Sequence, residues 1–338
     1  MIIKKSIKGL TKEAWLEIRK GTIGGSEIGA ILGLNEFASA YSVWAEKMGL
    51  TPAFEGNLAT DVGTYLEEFV AKRFQDVSGL TVNKTNFIYY NEAYPGLHAS
   101  PDRLIQYPKG DPRRKKDAYK AGLECKTTNS FSGKKFKGED FPVTYYCQAV
   151  QYMAVMDVSE WYIAVLIGNH DFRIYQLRRG VDQETCNWER PEWCLSSIAV
   201  SESEIDSMYA QAKAFMACIA THTPPAADGS DATTRAIADV FGDSDPGLGD
   251  LDLTPVSSWI QQYKAISANI KSLDKEKTEA ANMIKSYMGQ AEVGRYGDTK
   301  VTWKTQTRRS VDTDRLLQDI PTASDYIKTS TSRTFLLK

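Results

Sequence analysis

His98-Ala99-Ser100-Pro101-Asp102 is followed, after a basic stretch, by Leu123-Glu124-Cys125-Lys126. Side chains alternate across a strand, so Glu124 and Lys126 share one face while Leu123 and Cys125 turn toward the core. An aspartate, a glutamate and a lysine that converge can hold a hard divalent cation and position a water beside it. That arrangement cleaves phosphodiesters. An isolated Glu-x-Lys is common on surface hairpins; the Ser-Pro-Asp that precedes it at short range is what favours a site.

Three further groups carry chemistry. In the helix expected over Asp61–Val77, Val62, Leu66, Phe69, Val70 and Phe74 form the buried side. Glu68 pairs with Lys72 one turn on, in solvent, whereas Glu67 falls at the edge of the core, where a carboxylate needs a partner or a metal. Gln148 and Tyr152 stand four apart on a helix expected over Tyr145–Val155 and so share a face. Near the N-terminus, Gly24-Gly25-Ser26-Glu27 opens a helix shortly after Arg19. Free N–H groups, a hydroxyl and the positive end of a helix dipole suit an anion. On the local residues alone a plain turn with Ser26 as its cap is the favoured reading, and nearby Arg19 makes a phosphate more plausible.

The elements that position these groups are short. Thr11 caps a helix to Lys20, Thr81–Tyr90 reads as one strand, and Trp161–Ile167 with Phe172–Arg178 forms a hairpin. Between the two acidic motifs, Lys109, Arg113, Arg114, Lys115, Lys116 and Lys120 make a basic loop suited to a duplex backbone. Asn129–Gly138 is again basic and, with its glycines, expected to be mobile. Glu202–Ala220 is an amphipathic helix. The composition then changes: residues 221–255 carry four prolines, seven aspartates and one arginine. This is a linker pattern with one short helix around Ala236. From Trp259 a helix follows with a coiled-coil-like seam of Tyr263, Ile266, Ile270, Leu273, Ala280, Ile284 and Tyr287, interrupted by Lys277. A hairpin around Tyr296-Gly297-Asp298 comes next, and Thr334–Leu337 reads as a final apolar strand. The expected organisation is a core over 1–220, a linker over 221–255 and an extension over 256–338.

Composition narrows the class. The chain has 338 residues, 42% hydrophobic and 25% charged, with a net charge of -2, so a nucleic-acid contact would have to come from a local patch. No apolar run approaches membrane-spanning length. Five scattered cysteines without a C-x-x-C pair argue against a disulfide framework or zinc cluster and for a reducing cytosol. The three histidines stand far apart without a metal or base motif around them.

Taken in order, Arg19, Gly24–Glu27, Gly63-x-x-x-Glu67, Ser100-Pro101-Asp102, Glu124-Cys125-Lys126 and Gln148-x-x-x-Tyr152 resemble the YqaJ-like viral recombinases. These are relatives of bacteriophage lambda exonuclease among the PD-(D/E)-x-K nucleases. The resemblance implies an α/β fold: a restriction-endonuclease-like core with a central mixed sheet flanked by helices, and a helical and β C-terminal extension. It implies a Mg2+-dependent exonuclease (Mn2+ substituting) that degrades one strand of linear duplex DNA from a 5′ end, leaving a 3′ overhang for a single-strand-annealing protein. Asp102, Glu124, the Cys125 carbonyl and Glu67 would hold metal. Lys126 would orient or deprotonate the attacking water, and Gln148 and Tyr152 would position the strand or Lys126. Arg19, Ser26 and Ser100 would bind the terminal 5′ phosphate. A homo-oligomer, a ring of three as in the lambda enzyme, and a bacterial host cytosol complete the expectation. The alternatives are a restriction- or repair-type endonuclease on the same fold and a non-catalytic DNA-binding scaffold.

Overall fold

The run Trp-Tyr-Ile-Ala-Val-Leu-Ile has no polar side to give to water, so it must lie inside a sheet covered on both faces. In the computed structural model it is the fourth of six strands. All residues are described except 53–54, 108, 111–120, 137, 139, 181–189, 329–332 and 338, and the side chains at 12, 13 and 16. In chain order the elements of the first unit are β1 (Ile2–Ser6), α1 (Lys12–Lys20), α2 (Gly25–Ile31), α3 (Ala40–Lys47) and α4 (Leu58–Ser78). Then come β2 (Thr81–Lys84), β3 (Phe87–Asn91), β4 (His98–Ala99), β5 (Arg103–Gln106), β6 (Ala121–Thr128), α5 (Val143–Met156), β7 (Glu160–Ile167), β8 (Asp171–Arg179), β9 (Ser196–Val200), α6 (Glu202–Ala220) and α7 (Asp231–Val240).

The central sheet runs β2-β5-β6-β7-β8-β9. The β6–β7 and β8–β9 pairs are parallel and the others antiparallel, so the sheet is mixed. A parallel neighbour needs a crossover, and α5 provides it between β6 and β7. On one face Leu123, Tyr162, Ala164 and Ile174 pack against Val70 and Phe74 of α4. On the other, Trp161, Ile163, Val165, Tyr175 and Leu177 meet Val150, Met153 and Ala154 of α5. A second, antiparallel sheet, β1-β3-β4, shares that α5 core through Tyr89 and Ala99.

Several expectations change at this level. Residues 81–90 form two strands in different sheets, because β2 pairs with β5 while β3 pairs with β1 and β4. Only the second half of α4 is core: Val70, Ala71 and Phe74 are buried, but Val62 and Phe69 are 43% and 53% exposed. The helix is longer than the sheet face it covers. Residues 129–138 include a 3-10 turn, Ser132–Lys135, tied down on several sides. The basic loop residues 113–116 and 120 lie outside the described residues.

The first compact unit ends at Gly242, beyond Ala220, and the second spans Asp243–Lys338. The reason is α7, which buries Ala232, Thr233 and Ala236, with the Thr233 hydroxyl donating to Ser39 Oγ at 2.7 Å beside α3. The second unit contains α8 (Ser257–Met288), the hairpin β10 (Val293–Tyr296) and β11 (Thr299–Thr302), and α9 (Thr313–Asp319). Residues 334–337 form no strand; Phe335 instead stands edge-on to Tyr263 of α8.

Candidate active site

Asp102 sits where the chain leaves β4 and enters β5, and Glu124 and Lys126 sit mid-way along the neighbouring β6. Cross-strand pairing brings the motifs together although 21 residues separate them. Asp102 Oδ2 accepts from the Cys125 backbone N–H at 2.8 Å. Glu124 Oε1 accepts from Lys126 Nζ at 2.8 Å and from Gln148 Nε2 at 2.6 Å. Gln148 Oε1 in turn accepts from Lys126 Nζ at 3.0 Å, and its Nε2 donates to the Tyr152 hydroxyl at 3.3 Å. The Lys126 ammonium also lies 4.9 Å from the centre of the Tyr145 ring. The helical four-residue spacing of Gln148 and Tyr152 and the alternation of Glu124 and Lys126 thus meet between α5 and the sheet.

The electrostatics are those of crowded carboxylates. Burial, reinforced by the Glu124 charge and then partly offset by Lys126, pushes the Asp102 carboxyl well above its ordinary range. Burial would lower Lys126, but the Glu124 and Asp102 charges more than offset it and hold the ammonium above the usual lysine value. Burial likewise raises the Tyr152 phenol, keeping it a neutral hydroxyl. Glu124 Oε2 is buried with no hydrogen-bond partner among the described residues. A buried carboxylate oxygen left bare, beside a second carboxylate, is costly unless a cation meets it.

Glu67 has a protein partner as well. It lies on the more buried side of α4 than Glu68, with side chains 24% and 80% exposed. Both glutamates are nevertheless engaged by Arg103, a buried guanidinium that holds Glu67 through Nη1 and Glu68 through Nη2 at 2.7 Å. Lys84 approaches Glu67 to 3.7 Å. Among the described residues no three Asp, Glu, His or Cys side chains gather as a metal-binding group. Glu67 is paired with Arg103, and its charge is among those that raise the Asp102 carboxyl. Arg103 carried no signal in sequence beyond standing next to Asp102.

The N-terminal motif packs directly on this network. A Cβ on Gly25 would fall 2.4 Å from Tyr152 Cε1 and 2.9 Å from Gln148 Cγ, so only glycine lets α2 start there. Arg19 Nη2 donates to Ser26 Oγ at 3.2 Å, its guanidinium stacks 4.5 Å over Trp15, and it stands 3.6 Å from Glu27. Lys47 Nζ ties the turn by donating to the carbonyls of Arg19 and Thr22 and to Glu27. Glu27 closes back on the Gly24 N–H at 2.7 Å, so Gly24 rather than Ser26 is the helix cap. Ser26 is left to face Arg19. Ser100 follows β4, which is bridged to the same turn at Ile23 and Leu97.

Two buried residues that sequence reasoning passed over hold this junction. Gln151 Nε2 donates to the carbonyls of Ile23 (2.8 Å) and His98 (2.9 Å), joining the turn, β4 and α5. The His98 ring meets the Thr22 hydroxyl through Nδ1 at 2.8 Å. Burial first, then Arg19 and Lys47, depress its pKa to about 3. Gln151, next to Tyr152, could have been suspected as a second glutamine on a largely apolar helix.

Residues 14–159, the stretch that contains every one of these side chains, match the YqaJ-like viral recombinase domain. Over that stretch the chain is similar to the YqaJ-like viral recombinases. This YqaJ-like chain is 29% identical over 326 residues to the uncharacterized protein YqaJ of Bacillus subtilis (strain 168), covering 95% of this chain and 92% of that one. Among solved structures it is similar to an alkaline exonuclease, LHK-Exo, from Laribacter hongkongensis: 18% identity, 62% of this chain and 94% of the other covered, TM-score 0.45. It is also similar to a phage related exonuclease from Haemophilus somnus 129PT, at 15% identity, 60% and 96% coverage and a TM-score of 0.40.

Proposed function

We propose that this YqaJ-like protein is a metal-dependent exonuclease acting 5′ to 3′ on linear duplex DNA. The observation that carries the reading is Glu124: one oxygen is gripped by Lys126 and Gln148, the other is buried and bare, and the Asp102 carboxyl is tied to the next residue. An all-oxygen donor set of this kind suits Mg2+, with Mn2+ as a substitute. Asp102, Glu124 and the Cys125 carbonyl would hold it, with Glu67, one of whose oxygens accepts from Arg103, completing the set. Such an ion lowers the pKa of a bound water and neutralises charge on a phosphate.

The chain's own residues supply the rest. Lys126 would orient or deprotonate the attacking water, and it faces the charge that builds on the phosphoryl oxygens. Gln148 holds Lys126 and Glu124 in one geometry, and Tyr152, a neutral hydroxyl against Gly25, links that geometry to the Arg19–Ser26 pair. Arg19, Ser26 and Ser100 would take the terminal 5′ phosphate, which has more charge and more free oxygens than an internal diester. Such an enzyme leaves 3′ overhangs for a single-strand-annealing protein, works as a homo-oligomer, a ring of three in our reading, and acts in a bacterial host cytosol. No helix among the described residues is long and apolar enough to cross a membrane.

The test is digestion of end-labelled linear duplex and closed circular plasmid with Mg2+, for wild type and Arg19→Ala. Loss of one charge-assisted contact costs about 1.5–3 kcal/mol. The variant should therefore degrade 5′-phosphorylated duplex roughly ten- to a hundredfold more slowly, with far less effect on 5′-hydroxyl duplex. Equal cutting of circular and linear DNA would defeat the exonuclease assignment. Equal loss on both end types would defeat the phosphate pocket.

A further inference from the structure

Among the described residues none of the 32 in α8 is buried, and no side chain caps its start at Val256. A helix in a protein is held mainly by packing an apolar face, so a long helix that buries none of its residues lacks its main support. α8 has such a face. The seam read from the sequence runs from Trp259 to Tyr287 in alternating steps of four and three, the heptad spacing of helices that wind side by side. That seam is open: Ile270, Leu273 and Ile284 are 54%, 62% and 48% exposed. The chain's own tail touches only its beginning. Phe335 stands edge-on to Tyr263, with ring centres 5.6 Å apart, and the groove of about 610 Å3 between α8 and Phe335–Leu337 reaches no further along the helix than Ile266.

The charges along the helix say what fits the rest. The seam itself carries one charged residue, Lys277. Of the nine positions that flank it (260, 262, 267, 269, 274, 276, 281, 283 and 288), two are charged, Asp274 and Glu276. Both are acidic, and both lie within three residues of Lys277. In a parallel pair a seam side chain inserts into a hole made by four residues of the facing helix. With two copies in register, the hole for Lys277 is made by Leu273, Glu276, Lys277 and Ala280 of the second copy, with Asp274 beside it. Each ammonium taken from water then meets carboxylates of the other helix, which a buried charge requires. An antiparallel pair of full overlap, Tyr263 against Tyr287, would instead set Glu276 against its own copy and Asp274 against its own copy, like charge against like.

The helix is thus complementary to itself in one arrangement. We propose that α8 is a self-association element: it pairs with α8 of a second copy of this chain as a coiled coil, parallel and in register, with Lys277 and its two acidic neighbours fixing the register. That copies associate at all rests on the homo-oligomer read above; the element that joins them is carried by α8 alone.

The test uses the full chain, in isotopically light and heavy batches mixed to exchange copies. The photo-cross-linker p-benzoylphenylalanine replaces Asn269, which flanks the seam, or Asn282, which faces away from it. Irradiation should join position 269 of one copy to α8 of the other within about two turns of the same position, and position 282 should give no such product. Sedimentation then measures association. Ile270→Asp/Ile284→Asp should raise the dissociation constant roughly tenfold or more. Lys277→Ile should lower it by roughly tenfold, a gain that misfolding does not produce. A wild type that stays monomeric at every concentration would overturn the homo-oligomer reading and this pairing with it. A homo-oligomer indifferent to both variants would overturn the pairing alone. So would Asn269 cross-links that fall only within their own chain, only near the opposite end of the second α8, or, after irradiation in the expressing cells, only on a different protein.

Discussion

Asp102 shows how one residue can oppose the fold and serve the site. With its pKa raised by burial and by Glu124, the metal-free fold prefers it protonated. The associated stability is therefore complete below the ordinary carboxylate range and is lost as pH rises through the raised value. Asp102→Asn keeps the acceptor for the Cys125 N–H but removes the charge. It should stabilise the metal-free protein at pH 7 by about 1–3 kcal/mol, read by urea unfolding with chelator, while cleavage falls at least about a thousandfold. A variant that is less stable yet still cleaves would contradict the arrangement. His98 works in the opposite sense. Its folded pKa of about 3 lies below the ordinary 6.5, so its contribution is present above pH 6.5 and is lost as pH falls toward 3. At about 1.4 kcal/mol per pH step, roughly 2 kcal/mol should disappear by pH 5, and His98→Gln should flatten that slope in the same unfolding measurement.

At the level of elements, the decisive contact is α2 against α5. A helix can approach another this closely only where one side supplies no Cβ, and Gly25 does so against Tyr152 and Gln148. Gly25→Ala should push the Arg19–Ser26 pair away from the carboxylates and cost about 1–3 kcal/mol through overpacking. Discrimination between 5′-phosphate and 5′-hydroxyl ends should weaken with it. Gly21 is the control: its φ is -82° and a Cβ there meets nothing within 4 Å. Gly21→Ala should leave stability within about 0.5 kcal/mol. Thermal melts and end-specific digestion of the two variants side by side check the claim.

For the molecule as a whole, the compact unit that holds the site closes with α7, not with α6. A chain cut after Gly242 keeps Ala232, Thr233 and Ala236 packed beside α3; one cut after Ala220 leaves that surface and Ser39 exposed. The longer fragment should unfold cooperatively and retain end-directed cleavage. The shorter should lose a few kcal/mol, on the order of 25 cal/mol for each Å2 of apolar area uncovered. Denaturant midpoints of the two fragments measure the difference. Equal midpoints would mean that α7 is an appendage after all.

The motif residues and their order were legible in the sequence, because alternation on a strand and four-residue spacing on a helix are local properties. Glu124 with Lys126 and Gln148 with Tyr152 needed nothing else to be paired off. A central mixed sheet was expected from resemblance, not from periodicity, and its six-strand order came only from the structure: the apolar run of β7 shows burial on two faces but not which strands flank it. Only the tertiary structure decided the protein partner of Glu67, since Arg103 comes from β5, far from α4 in the chain. It also decided that residues 81–90 divide between two sheets, that Gly24 rather than Ser26 caps α2, and that 129–136 is anchored. The Gly24 cap is local, set by Glu27 three residues on; the others depend on hydrogen bonds or packing between segments far apart in the chain, and a distant partner leaves no period in the local sequence from which it could be read.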